Sequence, residues 1–219
     1  MEFSRSEEDH LKAVYALLQT SPSALTKDIS ERLQTKASSV TDMLKKLAEK
    51  KLLKHEPYYG VTLTSKGSSI ALQLVRRHRL WETFLVDRLG FDWDEVHEVA
   101  EQLEHVASEK LIDKLDEYLG HPAFDPHGDP IPDKKGRVRQ RKTKRLSECT
   151  DGESVRLVAV SETTDGLLRL LGSKGLRIGT MLHVHEVHAF DGSLDIKLSN
   201  DGSLSLSKEV CHHLQVETA

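Results

Sequence analysis

Residues 36–67, KASSVTDMLKKLAEKKLLKHEPYYGVTLTSKG, decide how the first third of the chain folds. Val40, Met43, Leu44 and Leu47 recur at helical spacing, so a helix beginning near Ser38 buries that stripe. The run after it, LLKHEPYYGVTLTSKG, reads as two short strands around a turn from Pro57 to Gly60. Upstream, the QTKA turn joins this helix to a shorter one through ISERL, with Thr26 placed to act as its N-cap. Before that, Leu11, Val14, Tyr15 and Leu18 mark a helix between Ser6 and Gln19. Two short helices across a tight turn, followed by a two-stranded wing, outline a winged helix-turn-helix over residues 1–66. A generic small helical domain is the alternative this pattern leaves open.

Charge supports the first option. The whole chain of 219 residues has a net charge of −4, but residues 25–66 hold nine Lys/Arg against five Asp/Glu. Residues 92–117 hold ten acids against two lysines. One segment therefore suits a polyanion and another suits cations. At 37% hydrophobic content the chain can bury real cores, and no run approaches the roughly 18 apolar residues of a membrane span. The acidic start, MEFSRSEEDH, is unlike a signal peptide, so the expected location is the cytoplasm, with no membrane partner. Cys149 and Cys211 stand far apart, which excludes a disulfide framework and a thiolate zinc site. Any metal must be held by oxygen and imidazole.

Residues 67–133 read as a helical domain: a long helix over 66–89, a second opening at VHEVAEQLEHVASEKL (96–111), and a shorter one near 108–119. The apolar residues Trp81, Phe84, Leu85 and Trp93 exceed what a short bundle buries alone, which points to a homodimer. Four prolines and then eight basic residues between Lys134 and Arg145 mark a linker over 134–148. Period-two runs SVRLVAV, GTMLHVHEV, SLDIKLSN and SLSLSKEV follow, with one short helix at DGLLRLLGSKG, so residues 149–219 read as an SH3-like β-barrel. The expected class is mainly α with a small β domain.

In the second helix, a helical wheel puts His97, Glu101, Glu104 and His105 in one arc, with Val96, Val99, Leu103 and Val106 opposite. The spacing of Glu101, Glu104 and His105 brings two carboxylates and an imidazole to a common point. His78 and Glu82 form a second pair four apart, and Asp9 is able to complete the shell from the first helix. Such ligands suit Mn(II) or Fe(II) better than copper or structural zinc. A merely solvated acidic face remains open on spacing alone.

The segments EEDHLKAVYALL (7–18), LQTKASSVTDMLKKLAEKKLL (33–53), LTSKG (63–67), RRHRLWETFLVDRLGFDWDEVHEVAEQLEHVASEKL (76–111) and FDPHGDPIP (124–132) come in an order that resembles the diphtheria toxin repressor family of metal-dependent regulators. The resemblance covers residues 5–133 and, through LRIG (176–179), extends more loosely into the barrel. It implies a primary metal site at Asp9, His78, Glu101, Glu104 and His105. Iron-responsive members carry methionine and cysteine where Asp9 and Glu101 stand, so the chain looks like the manganese-responsive, three-domain branch. Two-domain manganese regulators have a second carboxylate where Lys12 stands, so a dinuclear pair of that type is not implied. An auxiliary site maps onto Glu82, Asp125 and His127, with Asp165 from the barrel, and His97 matches an ancillary ligand. His10, His55, His183, His185, His188, His212 and His213 read as surface or strand residues.

For DNA, Ser38, Ser39 and Thr41 near the start of the third helix face the groove, Lys36 and Lys45 face phosphates, and Tyr58, with Tyr59, sits at the wing tip. The expected function is a repressor that metal, Mn(II) or else Fe(II), activates for binding to a palindromic operator as a homodimer. The rivals are an iron-responsive regulator of the same family, a metal-binding interaction module and a carboxylate-bridged metallohydrolase. The last lacks an evident nucleophile and gives the basic winged segment no role.

Overall fold

The computed structural model of the chain describes residues 3–56, 59–106, 108–161, 163–199 and 202–218. In chain order the elements are α1 (Arg5–Leu17), α2 (Thr26–Arg32), α3 (Ala37–Glu49), β1 (Leu53–Glu56), β2 (Gly60–Leu63), α4 (Ser65–Leu89), α5 (Val96–Leu103) and α6 (Glu109–Tyr118). They continue as β3 (Lys144–Arg145), β4 (Ser154–Val160), α7 (Asp165–Ser173), β5 (Met181–Val187), β6 (Leu194–Leu198), β7 (Ser203–Leu206), α8 (Lys208–His213) and β8 (Leu214–Thr218). This is the expected class, mainly α with a small β domain of the SH3 kind. The chain divides into two compact units: Met1–His78, Glu101–Ile112 and Pro132–Val138 in one, Arg79–Ala100, Asp113–Ile131 and Arg139–Ala219 in the other.

In the first unit, α1 opens on a capping box. The Ser4 hydroxyl accepts from the Glu7 amide, and the Glu7 carboxylate accepts from the Ser4 amide, satisfying two of the N–H groups a helix start leaves orphaned. Leu11 and Val14 from α1, Ile29 from α2, and Val40, Leu44 and Leu47 from α3 are fully or almost fully buried in one core with Leu52, Val61 and Leu74. Each such leucine or valine contributes roughly 1.5–3 kcal/mol by leaving water. Met43 lies only partly buried at the margin of this core. The wing strands β1 and β2 pair antiparallel from Leu53↔Leu63 to Glu56↔Gly60. Ala24 adds a bridge to Val61, each amide donating to the other's carbonyl at 2.9 Å. That bridge holds the chain extended up to Leu25, so Leu25 occupies the cap of α2 and Thr26 is its first helical residue, not the N-cap.

The basic stretch after Pro132 is partly anchored here. Gln73 donates to the Lys134 carbonyl at 3.0 Å, and the Asp133 carboxylate receives the amides of Lys135 and Arg137.

In the second unit, six antiparallel strands run in the order β3-β8-β4-β5-β6-β7. Two local readings are corrected. SKEV does not extend β7: the Ser207 hydroxyl accepts from the Val210 amide and starts α8. The following LQVET forms β8, which lies between β3 and β4. Trp93 and Leu85, expected to seek a partner subunit, are 4% and 3% exposed. Trp93 belongs to the β-domain core with Leu157, Leu176 and Val184, and the Arg177 guanidinium caps its ring at 4.7 Å.

Candidate metal centres and nucleic-acid interface

Asp9, His78, Glu101, Glu104 and His105 all lie in the first unit, carried by α1, α4, α5 and the turn after α5. The helical-wheel argument that grouped the last three is only half right. α5 ends at Leu103, and the Val106 amide bonds back to the Leu103 carbonyl, so Glu104 and His105 sit in a turn. The expected apolar and polar faces are exchanged at this point, with Glu104 1% exposed and Val106 42% exposed. The turn puts Glu104 Oε2 2.6 Å from His78 Nδ1. It also puts His105 Nε2 3.2 Å from Asp9 Oδ1 and 3.9 Å from Glu104 Oε1. Asp9, Glu104 and His105 offer ligand atoms within 4.8 Å of one another. Glu101 stands at the rim, its side chain 47% exposed and its carboxylate 3.7 Å from Lys12 Nζ.

Three side chains outside the expected set organise this cluster. Glu8, buried beside Asp9, accepts a hydrogen bond from His105 Nδ1–H at 2.6 Å and so leaves Nε2 directed at Asp9. A carboxylate behind an imidazole in this way fixes the tautomer of a metal-ligating histidine. Arg77 donates to Glu8 and to the Glu104 carbonyl, pinning the turn. Lys12 donates to both Glu104 oxygens, at 2.9 and 2.7 Å. Burial works to raise the Glu104 carboxyl, but hydrogen bonds and charge from His78 and Lys12 outweigh it, and its pKa falls below the usual value. Asp9 goes the other way: burial raises it more than His105 and Arg5 lower it. Two hard oxygen donors and one imidazole nitrogen, the imidazole oriented from behind, fit a divalent cation of the manganese or ferrous kind. No thiolate takes part, because Cys149 and Cys211 are buried in the β-domain core.

The auxiliary residues lie in the second unit. Glu82, Asp125 and His127 are all buried and bring ligand atoms within 4.8 Å of one another. His127 Nε2 donates to the Trp93 carbonyl at 2.7 Å, leaving Nδ1 3.9 Å from Glu82. His97, on the exposed side, reaches Glu82 at 3.2 Å. Burial, then the Glu82 and Asp129 carboxylates, push Asp125 well above the usual carboxylate range against the pull of Arg79. Asp165 is not brought to this group: it is the first residue of α7, exposed, and pairs with Arg169 one turn on.

Ser38, Ser39, Thr41 and Lys45 on α3, and Lys36 at its N-cap, are exposed. Thr41 spends its proton on the Ala37 carbonyl, and Lys45 lies 3.8 Å from Asp42. Tyr58 lies outside the described residues, while Tyr59 is 72% exposed. Sequence reasoning did not register that Lys46 of α3 and Lys50, its C-cap residue, both reach the buried Glu7 of α1.

A winged helix in a basic segment, joined in one unit to a carboxylate–imidazole cluster, defines the class of a DNA-binding regulator. The family models that match are the iron dependent repressor N-terminal DNA binding domain over residues 2–61, the iron dependent repressor metal binding and dimerisation domain over 64–133, and the FeoA domain over 144–218. The chain is 29% identical over 223 residues to the iron-dependent repressor IdeR of Mycobacterium leprae, covering 96% of both. It is 39% identical over 110 residues to the HTH-type transcriptional regulator MntR of Lysinibacillus sphaericus, covering 50% of this chain and 78% of that one. A solved manganese-dependent transcriptional repressor in complex with manganese matches with a TM-score of 0.88 at 35% identity, over 97% of this chain and 99% of the other. The chain belongs to the diphtheria toxin repressor family of metal-dependent transcriptional regulators.

Proposed function

We propose that this protein is a cytoplasmic repressor that binds a palindromic operator as a homodimer when Mn(II) occupies the centre formed by Asp9, His78, Glu101, Glu104 and His105. The observation that carries the proposal is the position of α1. One of its ends presents Asp9 to Glu104 and His105, and the same helix, through Glu7, reaches Lys46 and Lys50 of α3. A divalent cation held by these residues would supply the positive charge that offsets the repulsion between Asp9 and Glu104. Asp9 would then tie α1 to the turn after α5, Arg77 and Glu8 hold that turn, and Glu7 links α1 to α3. The exposed Ser38, Ser39 and Lys36 at the start of α3 are the proposed contacts to base edges and phosphates. The all-oxygen and imidazole donor set supports Mn(II) over the softer-ligand metals. Glu82, Asp125, His127 and His97 are proposed to hold a second ion.

The test is DNA retention in the presence and absence of Mn(II), using duplexes selected from a random-sequence pool. Glu104→Ala should abolish the metal-dependent part of binding and leave the weak, metal-independent part. Metal-stimulated retention that survives this change overturns the proposal.

A further inference from the structure

Lys12 places its ammonium against Glu104 in the Asp9–Glu104–His105 centre. Its Nζ lies 2.7 and 2.9 Å from the two Glu104 oxygens, 3.3 Å from His78 Nδ1 and 3.7 Å from Glu101 Oε1. Two carboxylates around one positive atom, with the His78 ring beside it, resemble the surroundings of a bound cation, here supplied by the chain. Glu104 is 1% exposed, and a buried carboxylate without a partner is costly, so the ammonium stabilises the metal-free state. Glu104 also faces a second cation position, the one framed by Asp9 and His105.

We propose that Lys12 is a tethered cation that competes for Glu104 and so sets the metal concentration at which the centre fills. The inference rests on the metal-site assignment above. A divalent ion shared by Asp9, Glu104 and His105 must take Glu104 oxygen density from Lys12, and an interaction that stabilises the metal-free state more than the loaded one lowers affinity. A charge-assisted hydrogen bond is strong enough for its loss to change affinity by about tenfold. Lys12 thus sets the threshold concentration at which the centre fills.

The experiment is calorimetric titration of the chelator-stripped full chain with Mn(II), without DNA, for the parent and for Lys12→Leu, Lys12→Ala and Lys12→Arg. Leucine and alanine remove the charge and offer no ligand atom; arginine keeps the charge. The expected result is Mn(II) affinity roughly tenfold higher in Lys12→Leu and Lys12→Ala, and within about threefold of the parent in Lys12→Arg. Unchanged or weaker Mn(II) binding in both neutral variants overturns the proposal. Equal weakening in the neutral and arginine variants overturns it too, since the residue is then only a packing element. Circular dichroism shows which neutral variant keeps the fold. Failure of the metal-site assignment is read separately, as both the number of Mn(II) ions bound and their affinities staying parental in Glu104→Gln, since an ion held at Glu82, Asp125 and His127 would survive that change in either case.

Discussion

Glu7 shows how much one side chain does in this fold. It closes the capping box of α1 and accepts from Lys50 and Lys46 of α3 while 2% exposed. Burial pushes its carboxyl up, but the hydrogen bond from Lys50, then those from the Ser4 backbone and Lys46, outweigh burial and hold it at about 2. Its folded pKa is thus depressed below the ordinary value of 4.5, so its stabilisation is present above that value and lost as pH falls from there toward 2. With half-exposed lysines as partners, the contribution is roughly 1–3 kcal/mol. Glu7→Gln should lower stability at pH 7 by that amount and remove the matching part of the loss between pH 5 and 2. Urea unfolding across that range checks it, and an unchanged acid slope contradicts it. Glu101, Glu104 and His105 were legible in the sequence because they lie close together along it. Glu8 and Lys12 were not assigned a place in the centre from local pattern, because their partners His105 and Glu104 stand 97 and 92 residues away.

At the scale of elements, periodicity read the helices of the first unit well, because each buries a single apolar stripe. It failed where a short polar turn interrupts a stripe, as at Glu104, and where capping competes with alternation, as at Ser207. The FDPHGDPIP loop was recognised as irregular, but not why. Gly128 sits at φ +89°, and a Cβ there would meet the Val158 carbonyl oxygen at 2.0 Å. The loop lies flat on β4, where the Val160 amide donates to the His127 carbonyl at 3.0 Å, and that contact fixes the backbone of the buried His127. Gly128→Ala therefore lifts the loop and should destabilise the second unit by about 2 kcal/mol or more, while displacing His127 from Glu82. Denaturant unfolding measures the first effect. Parental stability in the alanine variant contradicts the reading.

At the scale of the molecule, the charge asymmetry seen in the sequence becomes a division of labour. The basic segment 25–66 carries α2, α3 and the wing strands, which are proposed to face DNA, and the acidic segment 92–117 supplies the turn that holds Glu104 and His105. α1 belongs to both, through Glu7 on one side and Asp9 on the other. The central claim is that metal and DNA are linked through this helix. Linkage makes a reciprocal demand: the factor by which Mn(II) tightens DNA must equal the factor by which DNA tightens Mn(II). The direct measurement is titration of the chelator-stripped protein with Mn(II), alone and saturated with the selected duplex, alongside DNA binding at zero and saturating Mn(II). The account predicts equal factors, on the order of 5–150-fold, both lost in Glu104→Ala. Tight Mn(II) binding that DNA leaves unchanged would contradict it.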